Sequence, residues 1–348
     1  MLWMWVVLKR FDYKTVVGHN LICDKLQTSV AAGRTVNAYI FSGPAGIGKK
    51  TLSMPFAASL LCQSPRDGKA CLSCPSCKLL AADSHPDLFL IRVPEDKKSI
   101  GVDQVRDEII KEAFVRPFTS KRKVFIIEDG MALTVEAQNA LLKVLEEPPE
   151  YVCFIILAEN QSGLLETVRS RSLKFQLLPL SASVCRDYFA AKTEGDASRR
   201  SLAASFSQGN LGNGNRMLTD EAFYGLYTET VDKLVNLLRE KKALVDMQAI
   251  FTQHKDNMQD VIDFMLLFFR DCLRSSISHT SRPICLDKEA AIAACSALCG
   301  AGGFVRMMEA IICFRERLQK NASFTAAGLE LLTQIQEEVH DQSNRRPI

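Results

Sequence analysis

The first half of the chain alternates short, nearly continuous apolar runs with stretches of helical spacing. Apolar runs of this kind, separated by helices, are typical of a parallel sheet that is covered by helices on both faces. We therefore predict an α/β sheet whose strands are "AYIFSG" (38–43), "DLFLIR" (87–92), "KVFIIED" (123–129), "CFIILA" (153–158) and "LKFQLL" (173–178).

The second half has a different pattern. No strand-like run follows residue 178, and residues 181–218 are predicted as short helices that end in the Gly/Asn-rich turn "SQGNLGNGN". From about residue 222 apolar residues recur with a spacing near 3.6, as in "VIDFMLLFFRDCL" (261–273), which predicts the core of a helix bundle rather than a ligand site. The segment "GAGG" (300–303) is predicted to break this helical region.

Composition changes this picture only a little. Of 348 residues 47% are hydrophobic and 24% charged. The small net charge of +3 does not imply a strong nonspecific field for polyanions, so any contact with nucleic acid would be local or shared with partners. No run reaches the roughly 18 apolar residues of a membrane span. The start "MLWMWVVLKRF" lacks the basic region of a secretory signal and is predicted as a strand or as helix packing. Twelve cysteines without an export signal indicate a reducing cytoplasm, where clustered thiols favour a metal over disulfides.

The segment "SGPAGIGKKTL" (42–52) follows the first strand and opens a helix, which is the context of a phosphate-binding loop. The pattern G-x-x-x-x-G-K is matched by Gly43, Gly48 and Lys49. At the next position, where Ser or Thr would hold Mg²⁺, stands Lys50, and a hydroxyl follows one residue late at Thr51. The loop therefore predicts a phosphate cradle with an altered metal position.

Four cysteines in "CQSPRDGKACLSCPSC" (62–77) follow the spacing C-x8-C-x2-C-x2-C. Two C-x2-C steps that share a cysteine can put thiolates on adjacent corners of a tetrahedron, and a fourth thiolate closes it. A closed set leaves no open position, so we predict a structural zinc site formed by Cys62, Cys71, Cys74 and Cys77. An iron–sulfur centre and four unrelated reduced cysteines are the alternatives.

A hydrophobic strand ends in two acids within "KVFIIEDGMALTVEAQNALLKVLEEPP" (123–149). In P-loop ATPases the first acid helps to hold Mg²⁺ and the next polarises the attacking water. Here the order is Glu128 then Asp129, the reverse of the usual Asp-Glu, so Asp129 is one methylene short of the reach of a Glu. The alternative is that the two acids only cap a strand end.

The fourth strand ends near the polar Asn160, and Arg169 and Arg171 come just before the fifth strand. An Arg held at a strand edge could reach a phosphate on a neighbouring molecule. A surface salt bridge is the alternative role for either arginine.

Taken in order, the phosphate loop, the four-cysteine insertion, "HPDLFLI", "AQNALLKVLEEPP" and "VRSRS" resemble the delta-prime family of bacterial DNA polymerase III clamp-loader subunits. The specific motifs cover about residues 14–215, and the likeness continues more weakly to "NASFTAAGLELLTQI" near the end. The resemblance implies an AAA+ α/β domain over residues 1–178 with a zinc module, a small helical lid over 179–218, and a helical collar over 219–348 that joins five subunits.

The resemblance also implies a function and partners. Such a subunit is a rigid member of the clamp loader, beside the ATP-driven gamma/tau subunits and the clamp-opening delta subunit, and the complex loads the sliding clamp onto primed DNA in the cytoplasmic replisome. Arg171 falls in the family's Ser-Arg-Cys motif, which implies an arginine finger offered in trans to the adjacent subunit's ATP. Here the third residue of the motif is Ser172.

Three departures from active clamp-loader ATPases point to lost hydrolysis. Lys50 takes the Mg²⁺-ligand position, the acidic pair is reversed, and Gly212 stands where active subunits carry a nucleotide-sensing Arg. We therefore expect a non-catalytic scaffold within the DNA polymerase III holoenzyme, with ATP and Mg²⁺ in doubt as ligands. The degenerate nucleotide site would comprise Gly43, Gly48, Lys49, Lys50, Thr51, Glu128, Asp129 and Asn160.

Two other functions are weighed against this hypothesis. One is an active AAA+ motor ATPase, which the three departures disfavour. The other is a zinc-dependent nucleic-acid-binding module. Its cysteine-rich segment has only Arg66, Lys69 and Lys78 nearby and no aromatic residues between them, so the sequence gives no stacking platform.

Overall fold

The computed structural model describes residues 8–278, 283–319 and 323–344. Its contacts divide the chain into two compact units, Met1–Val184 with Gly209–Gly212, and Cys185–Gln208 with Asn213–Ile348. Most of the apolar start, residues 1–7, lies outside the described residues, and so does the prediction made for it. The division into three domains stays a prediction.

The first unit is built on a five-stranded parallel sheet, which confirms the predicted α/β fold. The strands are β1 (Ala38–Ser42), β2 (Leu88–Ile91), β3 (Lys123–Ile127), β4 (Val152–Ala158) and β5 (Leu173–Gln176). Their order is β2-β3-β4-β1-β5, with Ile40 of β1 opposite Ile156 and Lys174. All five predicted apolar runs are therefore strands, within one or two residues at each end.

Helices cover both faces of this sheet. They are α1 (Asn20–Ala31), α2 (Lys49–Leu61), α3 (Pro75–Ala81), α4 (Val102–Gln104, a π-helical stretch Val105–Ile110, and Lys111–Ala113), α5 (Val135–Glu146) and α6 (Glu166–Ser170). Short 3-10 turns lie at Tyr13–Thr15, Gly130–Ala132 and Gln161–Gly163.

Side chains alternate along β1 and supply a core on each face of the sheet. Tyr39 and Phe41 join one buried cluster, and Ala38 and Ile40 join the other. The strand is buried at all five positions because it lies between β4 and β5. By contrast β5 is exposed at three of its four residues, since it is an edge strand with one neighbour.

Helix α5 shows how the local sequence sets the ends of an element. The Thr134 hydroxyl accepts a hydrogen bond from the Ala137 N–H at 3.2 Å, which is an N-cap. The helix ends at Glu146, two residues before the pair Pro148-Pro149, whose rings cannot continue a helix. Its motif "AQNALLKVLEEPP" is thus a capped, terminated amphipathic helix.

The second unit is helical throughout its described residues. Helix α7 (Ala182–Ala190) bridges the two units in sequence, and α8 (Ala197–Phe206), α9 (Leu211–Thr219), α10 (Glu221–Arg239), α11 (Leu244–Gln253), α12 (Met258–Ile277), α13 (Glu289–Ser296), α14 (Ala301–Gln319) and α15 (Phe324–Asn344) follow. Further 3-10 turns lie at Lys241–Ala243, Lys255–Asn257 and Leu286–Lys288.

The predicted bundle core in "VIDFMLLFFRDCL" is confirmed. Its buried apolar positions on α12 are Val261, Ile262, Phe264, Met265, Leu267, Phe268, Phe269 and Cys272, and Asp271 is buried as well. Phe264 contacts the rings of Phe206, Phe223 and Tyr227, with centroids 5.0–5.6 Å away. This stripe is therefore packing and not a ligand site.

The helical break predicted at residues 300–303 comes slightly earlier. Helix α13 ends at Ser296 and α14 already begins at Ala301, so Gly302 and Gly303 lie inside a helix. A helical glycine costs only about 1 kcal/mol relative to alanine, which the packing of a long helix can offset. None of the described helices is by itself both long and apolar enough to cross a membrane, although one bent pair, Glu289–Ser296 with Ala301–Leu318, passes by length and composition.

Candidate functional site

The predicted phosphate loop lies between the end of β1 and the start of α2, as its motif requires. Gly46 and Gly48 have φ angles of 78° and 106°, a region that side chains with a Cβ rarely adopt. Gly48 is also the N-cap residue of α2. The backbone is therefore that of a phosphate cradle at a helix N-terminus.

Lys49, which would contact the phosphates, is turned back onto the loop. Its Nζ donates to the carbonyl oxygens of Gly43 at 2.5 Å and Pro44 at 2.9 Å. Burial lowers the pKa of Lys49, and the nearby carboxylates of Glu159 and Asp129 partly oppose this. The cation that the motif supplies for a ligand is thus hydrogen-bonded within its own loop.

Lys50, at the metal-ligand position, forms an ion pair with the first acid of β3. Its Nζ lies 2.8 Å and 2.9 Å from the two carboxylate oxygens of Glu128. The guanidinium of Arg92, at the end of β2, lies 3.0 Å from the same carboxylate. Two cations therefore hold the side chain that would help to bind Mg²⁺.

Two other predicted nucleotide-site residues, Asp129 and Asn160, accept hydrogen bonds within their own turns. Asp129 is exposed and accepts a hydrogen bond from the Met131 N–H at 3.1 Å, which caps the turn at Gly130–Ala132. The Asn160 amide oxygen accepts from both the N–H and the hydroxyl of Ser162, at 3.0 and 2.8 Å. Both side chains cap their own turns.

Thr51 supplies the hydroxyl one residue after the metal-ligand position. Thr51 is exposed in the first turn of α2 and lines a cavity of about 750 Å³ together with Lys50 and Arg92. Leu90 of β2 also lines that cavity, which therefore lies between α2 and β2.

Residues 209–212 close over the phosphate loop from a distant part of the sequence. The Asn210 amide donates to the Ala45 carbonyl at 2.5 Å, and the Gly212 N–H donates to the Gly46 carbonyl at 3.1 Å. A Cβ on Gly212 would lie 2.6 Å from Gly46 Cα, so there is no room for a side chain. Gly212 stands where active clamp-loader subunits are expected to carry a nucleotide-sensing arginine. The contact with Gly46 leaves no space for an arginine side chain there.

Sequence reasoning missed Arg92 and Asn210. Arg92 ends the predicted strand "DLFLIR", and parallel strands bring their carboxyl ends to one edge of the sheet, so its position was a usable signal. Asn210 lies 165 positions from its partner, Ala45, and no local pattern could have identified it.

The four predicted cysteines come together at the far end of α2. Their sulfur atoms all lie within 4.8 Å of one another, so they could hold a metal ion. Cys62 follows the last residue of α2, Cys74 precedes α3, and Cys77 lies within α3. Cys71 follows a small hairpin closed by a bridge between Arg66 and Lys69.

Backbone N–H groups already point at two of these sulfur atoms. The Cys71 N–H donates to Cys62 Sγ and the Cys74 N–H to Cys71 Sγ, both at 3.3 Å. Burial opposes ionisation of Cys71, but hydrogen bonds from Ser73 and Cys74 outweigh it and lower its pKa to about 6. Burial raises the pKa of Cys62 and of Cys77. This N–H pattern favours thiolates, the form that ligates metals.

A buried polar network secures the cysteine cluster to the sheet and explains the "HPD" motif. His85 Nε2 lies 2.8 Å from the Ser76 hydroxyl, and that hydroxyl donates to the Leu61 carbonyl at 2.7 Å. The Ser120 hydroxyl also donates to the Leu61 carbonyl, at 2.7 Å. Burial lowers the pKa of His85, so the ring is neutral near pH 7, and the charge of Asp87 only partly opposes this.

Arg171 lies at the surface, just after α6. Its guanidinium forms an ion pair with Glu146 at 2.8 Å and donates to the Thr167 carbonyl at 3.1 Å. Ser172 is buried and its hydroxyl donates to the Val168 carbonyl at 2.8 Å, so it anchors the turn that carries the arginine. Arg169 is half-buried in the same turn.

These features define the class of the protein. A phosphate loop that joins a central strand to a helix, in a parallel sheet of order β2-β3-β4-β1-β5, is a P-loop protein of the AAA+ fold. The sequence model of the family described as DNA polymerase III, delta subunit, matches residues 18–181. This match confirms, over those residues, the resemblance drawn from the motifs.

Relatives from several bacteria carry related names. The DNA polymerase III subunit delta′ of Pseudomonas aeruginosa is 44% identical over 144 residues, which are 41% of this chain and 43% of that protein. The gamma/tau subunit of Mycobacterium tuberculosis is 35% identical over 170 residues, or 48% of this chain and 29% of that protein. The chain thus spans less than half the length of both relatives.

Two comparisons extend over more of the chain. The delta′ subunit of Bacillus subtilis is 24% identical over 318 residues, covering 90% of this chain and 94% of that protein. The solved structure of a Thermotoga maritima protein related to the DNA polymerase III gamma subunit covers 90% of this chain and 99% of its own, with 18% identity and a TM-score of 0.47.

Proposed function

We propose that this chain is a non-catalytic, delta-prime-type subunit of the DNA polymerase III clamp loader. The observation that carries the proposal is that its phosphate loop is occupied by the chain's own groups. Lys49 and Asn210 donate to loop carbonyls, and Lys50 pairs with Glu128. The family match over residues 18–181 supports a role in the DNA polymerase III complex, and we propose the cytoplasmic replisome as its setting.

The side chains that ATP hydrolysis would require at this site are missing or already hydrogen-bonded to other groups of the chain. P-loop ATPases hold Mg²⁺ with a Ser or Thr of the loop and an acid at the end of β3. Here the cation of Lys50 occupies the first position and neutralises Glu128, so it would repel the metal as well as fail to bind it. Asp129, which would polarise water, caps a turn instead. We therefore propose a scaffold and not a motor.

Arg171 is proposed as the group that acts on ATP, and on the ATP of a neighbouring subunit. Its ion pair with Glu146 joins two side chains that are 37% and 51% exposed, and such pairs contribute only about 0–1 kcal/mol. A phosphate could therefore replace Glu146 at small cost. The planar guanidinium can spread positive charge over several phosphate oxygens, which a lysine cannot.

The four cysteines are proposed to hold one structural zinc ion. Four convergent thiols on a short hairpin and a helix N-terminus fit the tetrahedral four-sulfur set that zinc takes in closed sites. When bound, the ion would tie the end of α2 to the hairpin and α3. It would take no part in chemistry, since four ligands leave no open position.

The partners would be the gamma/tau and delta subunits, and through them the sliding clamp and primed DNA. The test is to co-purify the chain with these subunits and to measure steady-state ATPase of the complex and of the chain alone. The chain alone should show no turnover, also as Lys50→Thr, because Glu128-Asp129 and Gly212 remain. Turnover of the chain alone at about 1 s⁻¹ or faster would instead identify a motor ATPase.

A further inference from the structure

The loop between α4 and β3 presents apolar side chains to solvent. Phe118 is 89% exposed, and Phe114 and Val115 on the same loop are 59% and 54% exposed. Apolar side chains that are exposed together on one loop form a patch of the kind that marks interaction sites.

The tip of this loop is held rigidly in spite of its exposure. The buried carboxylate of Asp87 accepts hydrogen bonds from the N–H groups of Phe118, Thr119 and Ser120, at 2.6, 2.8 and 2.8 Å. Three charge-assisted bonds to one carboxylate fix the backbone beneath the ring. Phe118 is therefore displayed on a fixed support, which lowers the entropy lost when a partner binds.

The same loop lies against the cysteine-rich segment. The Gln63 amide donates to the Thr119 carbonyl at 3.3 Å, and the Ser120 hydroxyl donates to the Leu61 carbonyl. Gln63 directly follows Cys62. The fold thus supplies, from a segment about 50 positions away, the aromatic residue that the cysteine-rich sequence lacks.

Basic residues lie in the same loop and on the cysteine-rich segment. Arg116 and Lys121 flank Phe118 in the loop, and Arg66 and Lys69 lie on the cysteine hairpin; all four are exposed. In the part of the chain that the structure describes, none of the four forms an ion pair. Basic side chains that form no ion pair can contact the phosphates of a nucleic acid. An exposed aromatic ring beside them can stack on its bases.

Single-stranded DNA fits this surface better than a protein segment does. A ring that is 89% exposed stands out from the surface, so it can stack on a base but offers no groove for the apolar face of a helix. Stacking on one aromatic residue contributes to binding whatever the base, while basic side chains follow the phosphates.

We propose that Phe118, with Arg116 and Lys121, forms a contact site for single-stranded DNA beside the cysteine cluster. The choice of DNA over RNA rests on the proposed function. We expect the site to bind without strong sequence preference, since stacking and phosphate contacts distinguish the bases only weakly. It contacts the strand by stacking on Phe118 and by phosphate contacts to the flanking cations.

The test measures fluorescence anisotropy of a labelled (dT)20 strand with the zinc-loaded full chain over a range of salt concentrations. Phe118→Ala should weaken binding by about 5- to 150-fold, the range for losing one stacked base, and Phe118→Trp should retain it. The double variant Arg116→Ala/Lys121→Ala should lower the slope of log K against log salt by about 1.4, at about 0.7 per phosphate contact. Val245→Ala, which removes a side chain that is 73% exposed in the second unit, is the matched control and should bind like wild type.

Several results would overturn the proposal. The first is that the wild type does not bind (dT)20, and the second is that Phe118→Ala and Val245→Ala bind it equally well. The third is that Phe118→Leu binds like the wild type, since an apolar but non-aromatic side chain would then be sufficient and would indicate a protein contact. Equal affinity for (rU)20 would overturn the assignment to DNA. Co-purification with gamma/tau tests the proposed function separately, and Phe118→Ala should assemble like the wild type. Loss of assembly in that variant would make the loop a subunit contact instead.

Discussion

The two ends of helix α2 use their polar groups in opposite ways. At its start, the cations of the phosphate loop and the acid of β3 are paired with one another or with loop carbonyls. At its end, about 20 Å away for a helix of 13 residues, four thiols converge and two of them accept hydrogen bonds from backbone N–H groups. The phosphate-loop motif is thus present in the sequence, but its charged side chains are hydrogen-bonded within the protein. The four cysteines at the other end of the same helix could still hold a metal ion.

The comparison can be tested most strongly at the cysteine end. Cys74→Ser should abolish stoichiometric zinc and lower the free energy of unfolding by several kcal/mol, since metal binding to a four-thiolate site is coupled to folding. Metal analysis of protein purified without added zinc and a urea titration would measure this. Cys313→Ser removes an exposed cysteine outside the cluster and is the control. A wild-type protein that is folded and free of metal would contradict the zinc assignment.

At the phosphate-loop end of α2, a single substitution can disrupt the contact between residues 209–212 and the loop. Gly212→Ala should destabilise the protein by about 1–3 kcal/mol, because its Cβ would lie 2.6 Å from Gly46 Cα, and backbone must move to relieve the overlap. Chemical denaturation would measure the loss. Gly225→Ala is the matched control, since a Cβ there meets nothing within 4 Å and the helix should gain stability. Equal effects of the two substitutions would show that residues 209–212 do not press on the loop.

A pH titration tests the network beneath the cysteine cluster. The pKa of His85 in the folded chain is lowered by burial, so its contribution to stability is complete above the unfolded pKa of about 6.5 and is lost as the pH falls towards the folded pKa. The loss is at most about 1.4 kcal/mol per pH unit in that window. Unfolding free energies at pH 7.5 and 5.5 should show it.

His85→Gln should have a weaker pH dependence over the same window. Some dependence should remain, since burial also lowers the pKa of His19 in the folded chain. If the wild type and His85→Gln change in parallel with pH, His85 is not kept neutral by its surroundings.

Arg171→Ala should have the smallest effect on stability, below about 1 kcal/mol, because its ion pair with Glu146 is largely exposed. In the assembled clamp loader the same variant should slow clamp loading onto primed DNA, and Arg171→Lys should restore it poorly. Glu146→Ala breaks the same ion pair and should leave loading intact. If Arg171→Ala loads clamps at the wild-type rate, the ion pair is its whole role.

The sequence predicted the strands and the cysteine cluster because both depend on residues that are close together in the chain. The apolar runs became strands, and the C-x2-C steps brought their thiols together. The state of the phosphate loop could not be predicted in the same way. Arg92, Asn210 and the turn that holds Asp129 act through contacts made only once the sheet has formed. For the same reason the exposed Phe118 could not be assigned to the cysteine hairpin from the sequence.

The carboxylate of Asp87 also has a consequence for the rates of folding and unfolding. Its three N–H partners lie 31 to 33 positions further along the chain, so we expect these bonds to close with or after the pairing of β2 and β3. Contacts made late add little to the transition state for folding and act mainly on the rate of unfolding. We therefore expect the loss of the Asp87 carboxylate to increase the rate of unfolding. The rate of folding should be almost unchanged.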